Sequence, residues 1–566
     1  MGWGQAKHQN SRRKGCQKEH FTNRINVPRI ERSSRDLIEP MDIKLSVPEY
    51  RPIPNVVVET RPKHVQAWLN ALPLANSLEA GRKLADGIAA LNSIKSAEDA
   101  RLKLLDLYRA TARTLLPSLQ QQYVNKPLPL QEKSKQAAAI ARDVMTELAN
   151  GYKLALLEMI GRRNLFGANK QAPLAIARAM ESLGATLEIS YETYHPPASG
   201  VWTELYQLYW YAARQQLHEQ PLTENDKNSV NHVFKHVLLL ALVDPYRLQQ
   251  GQLAEVKAYL ARFGHQAMLQ PLGKAENNHG LFLARLDEDK PPKALAHHSG
   301  VTDARTDIIL NTIPLARTLH QHVQGLDAGT PLKQLGLSEA AKQPAYREML
   351  KRLIKQWGIA PKRVFNRTSA QADLFICNGI SSLHQALSQG ALPDMSDTAE
   401  ARIKLQVSDA MQSVGSFQTY NCTNWQVVNE SAGGLALAKD PGSASKIKVG
   451  DIIGLGSGNQ SGLGVAIVRW MQSTNENNLE LGAQMLAPQT EAIVIKPVIS
   501  APDALFQPAL LLAAVPALEQ PARIVAPRGS FQPMREFEMR SQGVSRSVRA
   551  THLIEQTESW DLFFFS

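Results

Sequence analysis

Two arginines, Arg363 and Arg367, stand four residues apart where a helical pattern gives way to a strand. A guanidinium is a planar fork that donates two parallel hydrogen bonds to a phosphate, and its flat face stacks on a base. Further on the chain reads Asn429-Glu430-Ser431-Ala432-Gly433-Gly434. Asn429 and Ser431 lie two apart at the end of a strand, so their side chains share a face. The amide and the hydroxyl can each donate and accept. Gly433 and Gly434 remove side chains where the backbone turns and where a ring can approach closely. The two groups offer anion binding and base-edge hydrogen bonding, and neither contains a nucleophile or an acid–base pair.

Either group alone is weak. Arg109 and Arg113 repeat the arginine spacing inside an evident helix, far from any strand. The pair carries more, because each half falls beside a strand and the order continues. A Gly-Asp turn follows at Lys448-Val449-Gly450-Asp451, then Val468-Arg469-Trp470 and Leu481-Gly482-Ala483-Gln484-Met485-Leu486. This set resembles the PilZ domain, the bacterial receptor module for cyclic di-GMP, over about residues 361–497. The resemblance implies a dinucleotide site formed by Arg363, Arg367, Asn429, Ser431 and Gly434. The arginines would meet the two phosphates and the guanines, and Asn429 and Ser431 would meet a guanine edge. Two departures stand out. Asn429 occupies a position where Asp is common in the family, and a long insertion, about 379–420, separates the two motifs.

The elements that must hold these residues fall into blocks. From roughly 60 to 360 the apolar spacing is helical. Glu98 follows a cap-like Ser96, Trp202, Leu205, Tyr206 and Tyr209 form one stripe, and Val230, Phe234, Val237 and Leu238 form another. These stripes read as core. One interruption, Gly280–Leu286, reads as a strand before an acidic turn, Asp287-Glu288-Asp289. A last helix is expected over about 338–357. From 371 onward the segments are short, β-branched and punctuated by Gly, Asn and Asp. Strands are expected over 373–377, 425–428, 435–438, 451–455, 463–470, 479–486 and 492–495. A second group is expected over 510–514, 523–526, 536–540, 547–553 and 561–565. The glycine-rich run 454–462 is followed by a strand, so it reads as a hairpin turn and not a phosphate loop. The expected fold is multidomain α + β: an all-helical N-terminal region, a PilZ-like small β-barrel and a C-terminal β-rich unit. The boundaries expected are a disordered basic tail at 1–40, helical domains at 41–358, the barrel with its helical insertion at 359–497, and the β-rich unit at 498–566.

The chain has 566 residues, 43% hydrophobic and 20% charged, as in ordinary globular proteins. No apolar run approaches the roughly 20 residues that cross a bilayer. No secretory signal is evident, and three cysteines do not make a disulfide framework, so a cytoplasmic location is expected. The tail 1–40 carries nine Lys and Arg against four acids, a surplus of five in a formal net charge of +11. That tail is the main support for a nucleic-acid binder, which is the least favoured reading. No catalytic residue, metal site or cofactor is expected, and His297-His298 reads as a solvated pair. The function expected is a cyclic di-GMP effector, not an enzyme, that couples the dinucleotide at the barrel to a protein partner of the helical region. The alternative is a ligand-independent interaction scaffold with a degenerate barrel.

Overall fold

The computed structural model describes residues 43–51, 58–96, 98–161, 170–223, 228–273, 278–359, 366–389, 422–439, 445–456, 463–473, 478–499, 504–514, 520–541 and 543–566. The tail 1–40 lies outside them. Among the described residues, the first block is helical: α1 (Pro62–Asn70), α2 (Ser77–Asn92), α3 (Glu98–Gln120), α4 (Glu132–Gly161), α5 (Ala172–Glu192), α6 (Val201–Arg214), α7 (Val230–Ala241) and α8 (Gln252–Phe263). The stripes expected to be core are core: Trp202, Leu205, Tyr206 and Tyr209 are buried on α6, and Val230, Phe234, Val237 and Leu238 on α7.

The N-terminus of α6 shows how distant chain segments complete one another. Gly200, the residue before the helix, has no capping side chain of its own. Its free amides are met by Asp289, whose carboxylate accepts from Gly200 N at 2.6 Å and from Trp202 N and Thr203 N at 3.1 Å. An anion at the positive end of a helix satisfies amides that have no partner within it. The acidic turn that follows the interrupting strand is therefore a cap.

Strand β2 (Leu281–Arg285) fills the segment expected at 280–286, and it brings partners that the sequence did not announce. Beside it stand β1 (Met268–Pro271), β3 (Lys293–Ala294) and β4 (Asp307–Asn311), in the order β1-β4-β2-β3. The region up to 358 is thus not all helical. Next come α9 (Ile313–Asp327), the short α10 (Leu332–Leu335) and α11 (Pro344–Gly358). Helix α11 buries Tyr346, Met349, Leu350, Leu353 and Trp357 along one stripe. Its last turn is fixed twice. The Trp357 indole donates to Leu239 O at 3.1 Å, and the Thr312 hydroxyl meets Trp357 O.

The β-rich part begins with β5 (Thr368–Ser369) and β6 (Asp373–Asn378), followed by α12 (Ile380–Gln389). Then come β7 (Cys422–Ser431), β8 (Gly434–Lys439), β9 (Ile452–Gly456), β10 (Gly464–Ser473) and β11 (Leu479–Ala487). The sheet order is β5-β7-β6-β9-β10-β11-β8, and β7 also pairs with β8, which closes the sheet on itself. Of the expected insertion, α12 is described and 390–421 is not. A second, closed barrel follows in the order β12-β13-β14-β17-β16-β15. Its strands are β12 (Thr490–Pro497), β13 (Gln507–Leu512), β14 (Arg523–Pro527), β15 (Glu536–Ser541), β16 (Val544–Gln556) and β17 (Trp560–Phe565). Each strand segment expected after residue 371 overlaps one of these.

One assignment changes. The segment 492–495, expected to finish the first barrel, lies in β12 and pairs with β13 and β15 of the second. The barrels are also not separate cores. Phe375, Ile452 and Val465 of the first pack with Leu510, Val525, Trp560 and Leu562 of the second, with Ile380 and Leu383 of α12 in the same cluster.

Candidate functional site

The Asn429–Gly434 hexapeptide is a tight hairpin. Ser431 pairs with Gly434 across the two residues Ala432 and Gly433, so the turn joins β7 directly to β8. The Ser431 hydroxyl donates to Gly434 O at 3.2 Å. A bulge lies just before the motif, because Val427 pairs with Leu437 while Asn429 pairs with Ala436. The bulge leaves Val428 without a partner and 41% exposed, and it sets which face Asn429 and Ser431 share. Both are half-buried.

Gly434 has a structural reason to be glycine. A Cβ there would sit 2.1 Å from Ala483 O of β11. The missing side chain makes room for a neighbouring strand, whatever else approaches. The register carries the same face further. Asn429 pairs with Ala436, Ala436 with Gly482, and Gly482 with Trp470. The next row runs Ser431, Gly434, Gln484. Ala436 and Gly482 thus leave only small residues between Asn429 and Trp470, with Gly434 in the adjoining row. The Trp470 indole lies against Gly482, its Nε1 1.8 Å from where a Cβ would stand. Trp470 and Gln484 border the motif residues, and sequence reasoning treated them only as markers of strand order. Only the register could have found them.

Arg367 is exposed and immediately precedes β5. In β5, Thr368 pairs with Glu430 and Ser369 with Asn429. Continuing that antiparallel register by one residue sets Arg367 beside Ser431. β5 and β6 pair with the same edge of β7, at Asn429–Glu430 and at 422–426 respectively. The long insertion leaves from the far end of β6, so it does not separate the arginine motif from the hairpin in space. Arg363 lies outside the described residues. The look-alike pair is placed differently: Arg109 bonds Glu181 within the helical bundle.

A third arginine stands near this face. Arg469 donates from Nε to Gln484 Oε1 at 2.7 Å and grips Glu555 of β16 with both Nη atoms, at 2.6 and 2.8 Å. The Gly-Asp turn is also placed: Gly450 has φ of 92°, which favours glycine, and its carbonyl accepts from the Trp560 indole at 2.9 Å. Asp451 is pushed up by burial, opposed by bonds from Lys448 N and the Asn378 amide. The strands flanking the glycine-rich run pair as an antiparallel hairpin, Gly464 opposite Leu455, while 457–462 lie outside the described residues. Among the described residues no group of three or more His, Cys, Asp or Glu is arranged to hold a metal, and no helix is long and apolar enough to cross a membrane.

Comparison with known proteins agrees with this architecture along the chain. Residues 63–275 match the family described as the N-terminal domain of the cyclic-di-GMP receptor FimW. Residues 281–411 and 393–491 match the FimW middle PilZ domain, and 493–566 match the FimW C-terminal beta-barrel domain. The middle-domain match takes in β2–β4 and α9–α11, upstream of the motifs themselves. The cyclic-di-GMP receptor FimW of Pseudomonas aeruginosa is 25% identical over 559 residues, covering 89% of this chain and 90% of that protein. The chain carries a PilZ domain in its middle part, standing between a helical region and a C-terminal β-barrel.

Proposed function

We propose that the protein is a cytoplasmic cyclic di-GMP effector that acts by binding and not by catalysis. The observation that supports this reading is the pairing of Thr368 and Ser369 with Glu430 and Asn429, with Arg367 the residue just before them. Arg367, with Arg363 four residues before it in the sequence, supplies the forked donors that phosphates and a guanine O6/N7 edge require. Asn429 and Ser431 supply mixed donors and acceptors, and Gly434 adds no side chain in the adjoining row. The receptor name of the Pseudomonas relative supports the same ligand.

The output runs through α11, and we read residues 41–358 as the part that meets a protein partner. In sequence the arginine segment follows α11, which ends at Gly358, directly after Trp357, and Trp357 is anchored on α7 and on Thr312. Dinucleotide drawing that segment onto the barrel would bias how α11 sits. The bias can be no larger than the ligand's preference for one arrangement over the other. The tail 1–40 is not needed for this.

Calorimetry with the full chain tests the reading. One binding event at micromolar cyclic di-GMP is expected, with affinity reduced at least about tenfold in Arg367→Ala and in Ser431→Ala. Absence of heat, or unchanged affinity in an Arg363→Ala/Arg367→Ala variant, would overturn it. A partner captured equally with and without dinucleotide would favour the ligand-independent scaffold.

A further inference from the structure

A cavity of about 350 Å³ lies in the helical region, away from the hairpin. It is bounded by the end of α3, the end of α5, and the loop that leads into α8. A volume near 350 Å³ is within the range of small-ligand sites. Its lining has an unusual balance. Among the described residues that line it, Glu192 is the one charged group, and none is a lysine or arginine. The rest is amide, aromatic and aliphatic, with Gln120, Gln250, Tyr191 and Tyr194 prominent.

Two details fix the chemistry as acceptor-rich. The Gln120 amide donates to Glu192 Oε1 at 2.6 Å, and the Gln250 amide donates to Lys126 O at 2.9 Å. Each amide orientation is thereby set, and the amide oxygens remain as acceptors. The Gln250 oxygen is buried and meets no donor among the described residues. A buried acceptor without a donor is costly unless something supplies one. The carboxylate is short of positive charge too. Lys257, whose charge acts on Glu192, is bonded to Glu188. His236 faces Glu188 and Lys257 and is held below its usual range by burial, so it adds little charge. Tyr123 bonds Glu192 without neutralising it, and Arg142 acts on Tyr123. Burial accordingly pushes Glu192 up to about 7, against the pull of Lys257.

We propose that this cavity is a binding site for a small organic cation, a primary ammonium or guanidinium compound, with Glu192 as counter-ion, the Gln250 and Gln120 oxygens as hydrogen-bond acceptors and the tyrosine rings as walls. A carboxylate, carbonyl-type oxygens and aromatic rings are the groups that recognise such cations, and an anion would meet no cation here. Binding to the ionised Glu192 releases a proton when the free carboxyl is protonated. Affinity therefore rises as pH increases through about 7 and levels off above it.

The site also touches the PilZ barrel. Gln249, in the lining, packs on Gly450, and Tyr194 O accepts from Ser473 N of β10 at 2.7 Å. Occupancy and barrel position are thus in contact.

The test is calorimetry of the full chain with agmatine and putrescine, with 1,4-butanediol and succinate as neutral and anionic controls. Saturable one-site binding of at least one cation is expected, with heats near pH 7 that depend on the buffer's own ionisation because a proton is released. Glu192→Gln should weaken it by roughly tenfold or more while cyclic di-GMP titrates as before. Ala254→Trp, at an exposed position of the rim, should block it without touching the core. Absence of binding at millimolar cation, equal binding of butanediol, or cation binding that survives both variants would overturn the proposal. Because the dinucleotide is titrated in parallel, failure here is distinguishable from failure of the barrel site.

Discussion

Arg367 and Ser431 show how much a single side chain can be asked to do. Arg367→Lys keeps the charge and loses the planar fork. If the fork is what matters, the lysine variant should bind cyclic di-GMP nearly as weakly as the alanine variant, in calorimetry at matched salt. If charge alone mattered, lysine would restore most of the affinity. Gly434 makes a different prediction, because its hydrogen faces the Ala483 carbonyl. Gly434→Ala forces backbone against backbone and should cost about 1–3 kcal/mol in urea unfolding, with ligand affinity falling as the β8–β11 pairing distorts. Asn429→Ala should change the unfolding free energy by about 0.5 kcal/mol or less, since its half-buried amide is not part of the core. The motif residues were legible because their chemistry and spacing are local. Trp470, Gln484 and Arg469 were not, since they reach the same face only through the strand register.

At the level of elements, the stripes of α6, α7 and α11 were legible because a helix's buried face repeats within one segment. What completes a helix can lie elsewhere. Asp289 caps α6 across 89 positions from Gly200, and no local rule for the start of a helix could locate it. Asp289→Ala should remove three amide partners and cost about 1 kcal/mol, read from urea unfolding. The sign of its pH dependence follows. Burial alone would raise the carboxyl, but the bonds from Gly200, Thr203 and Trp202 amides hold it below its usual range. The folded form thus prefers the ionised state. The contribution is present above the unfolded value, about 3.9, and is lost as pH falls through the lower folded value. Unfolding of the parent and of Asp289→Asn at pH 7 and at about pH 3 should show a difference that shrinks with acid. Strands β1 and β4 were missed because they are only four and five residues long, and β12 was given to the wrong barrel because a strand's sequence does not name its partners.

At the scale of the molecule, the two barrels share too much to behave as independent domains. Only two residues separate β11 from β12, and one apolar cluster draws on both barrels and on α12. Trp560 is 1% exposed and belongs to that cluster, while its indole donates to Gly450 O in the first barrel. Arg469 and Glu555 add a bidentate ion pair between β10 and β16, with side chains 30% and 26% exposed, and Arg469 also holds Gln484 beside the hairpin. At that exposure the pair itself is worth about 1 kcal/mol or less. The shared core is the larger coupling, because a Trp-sized void in a packed interior costs about 3–5 kcal/mol. Trp560→Ala should therefore lower the stability of both barrels together, although the substituted residue lies in the second. Hydrogen exchange reads this directly. Amides of β7–β11 and of β13–β17 should lose protection by the same factor in Trp560→Ala, where independent barrels would lose it only in the second. By the same coupling, Glu555→Gln should weaken dinucleotide binding modestly, since it frees Arg469 and, through Gln484, the row that ends at Ser431. Unchanged affinity would confine Arg469 to holding the barrels together.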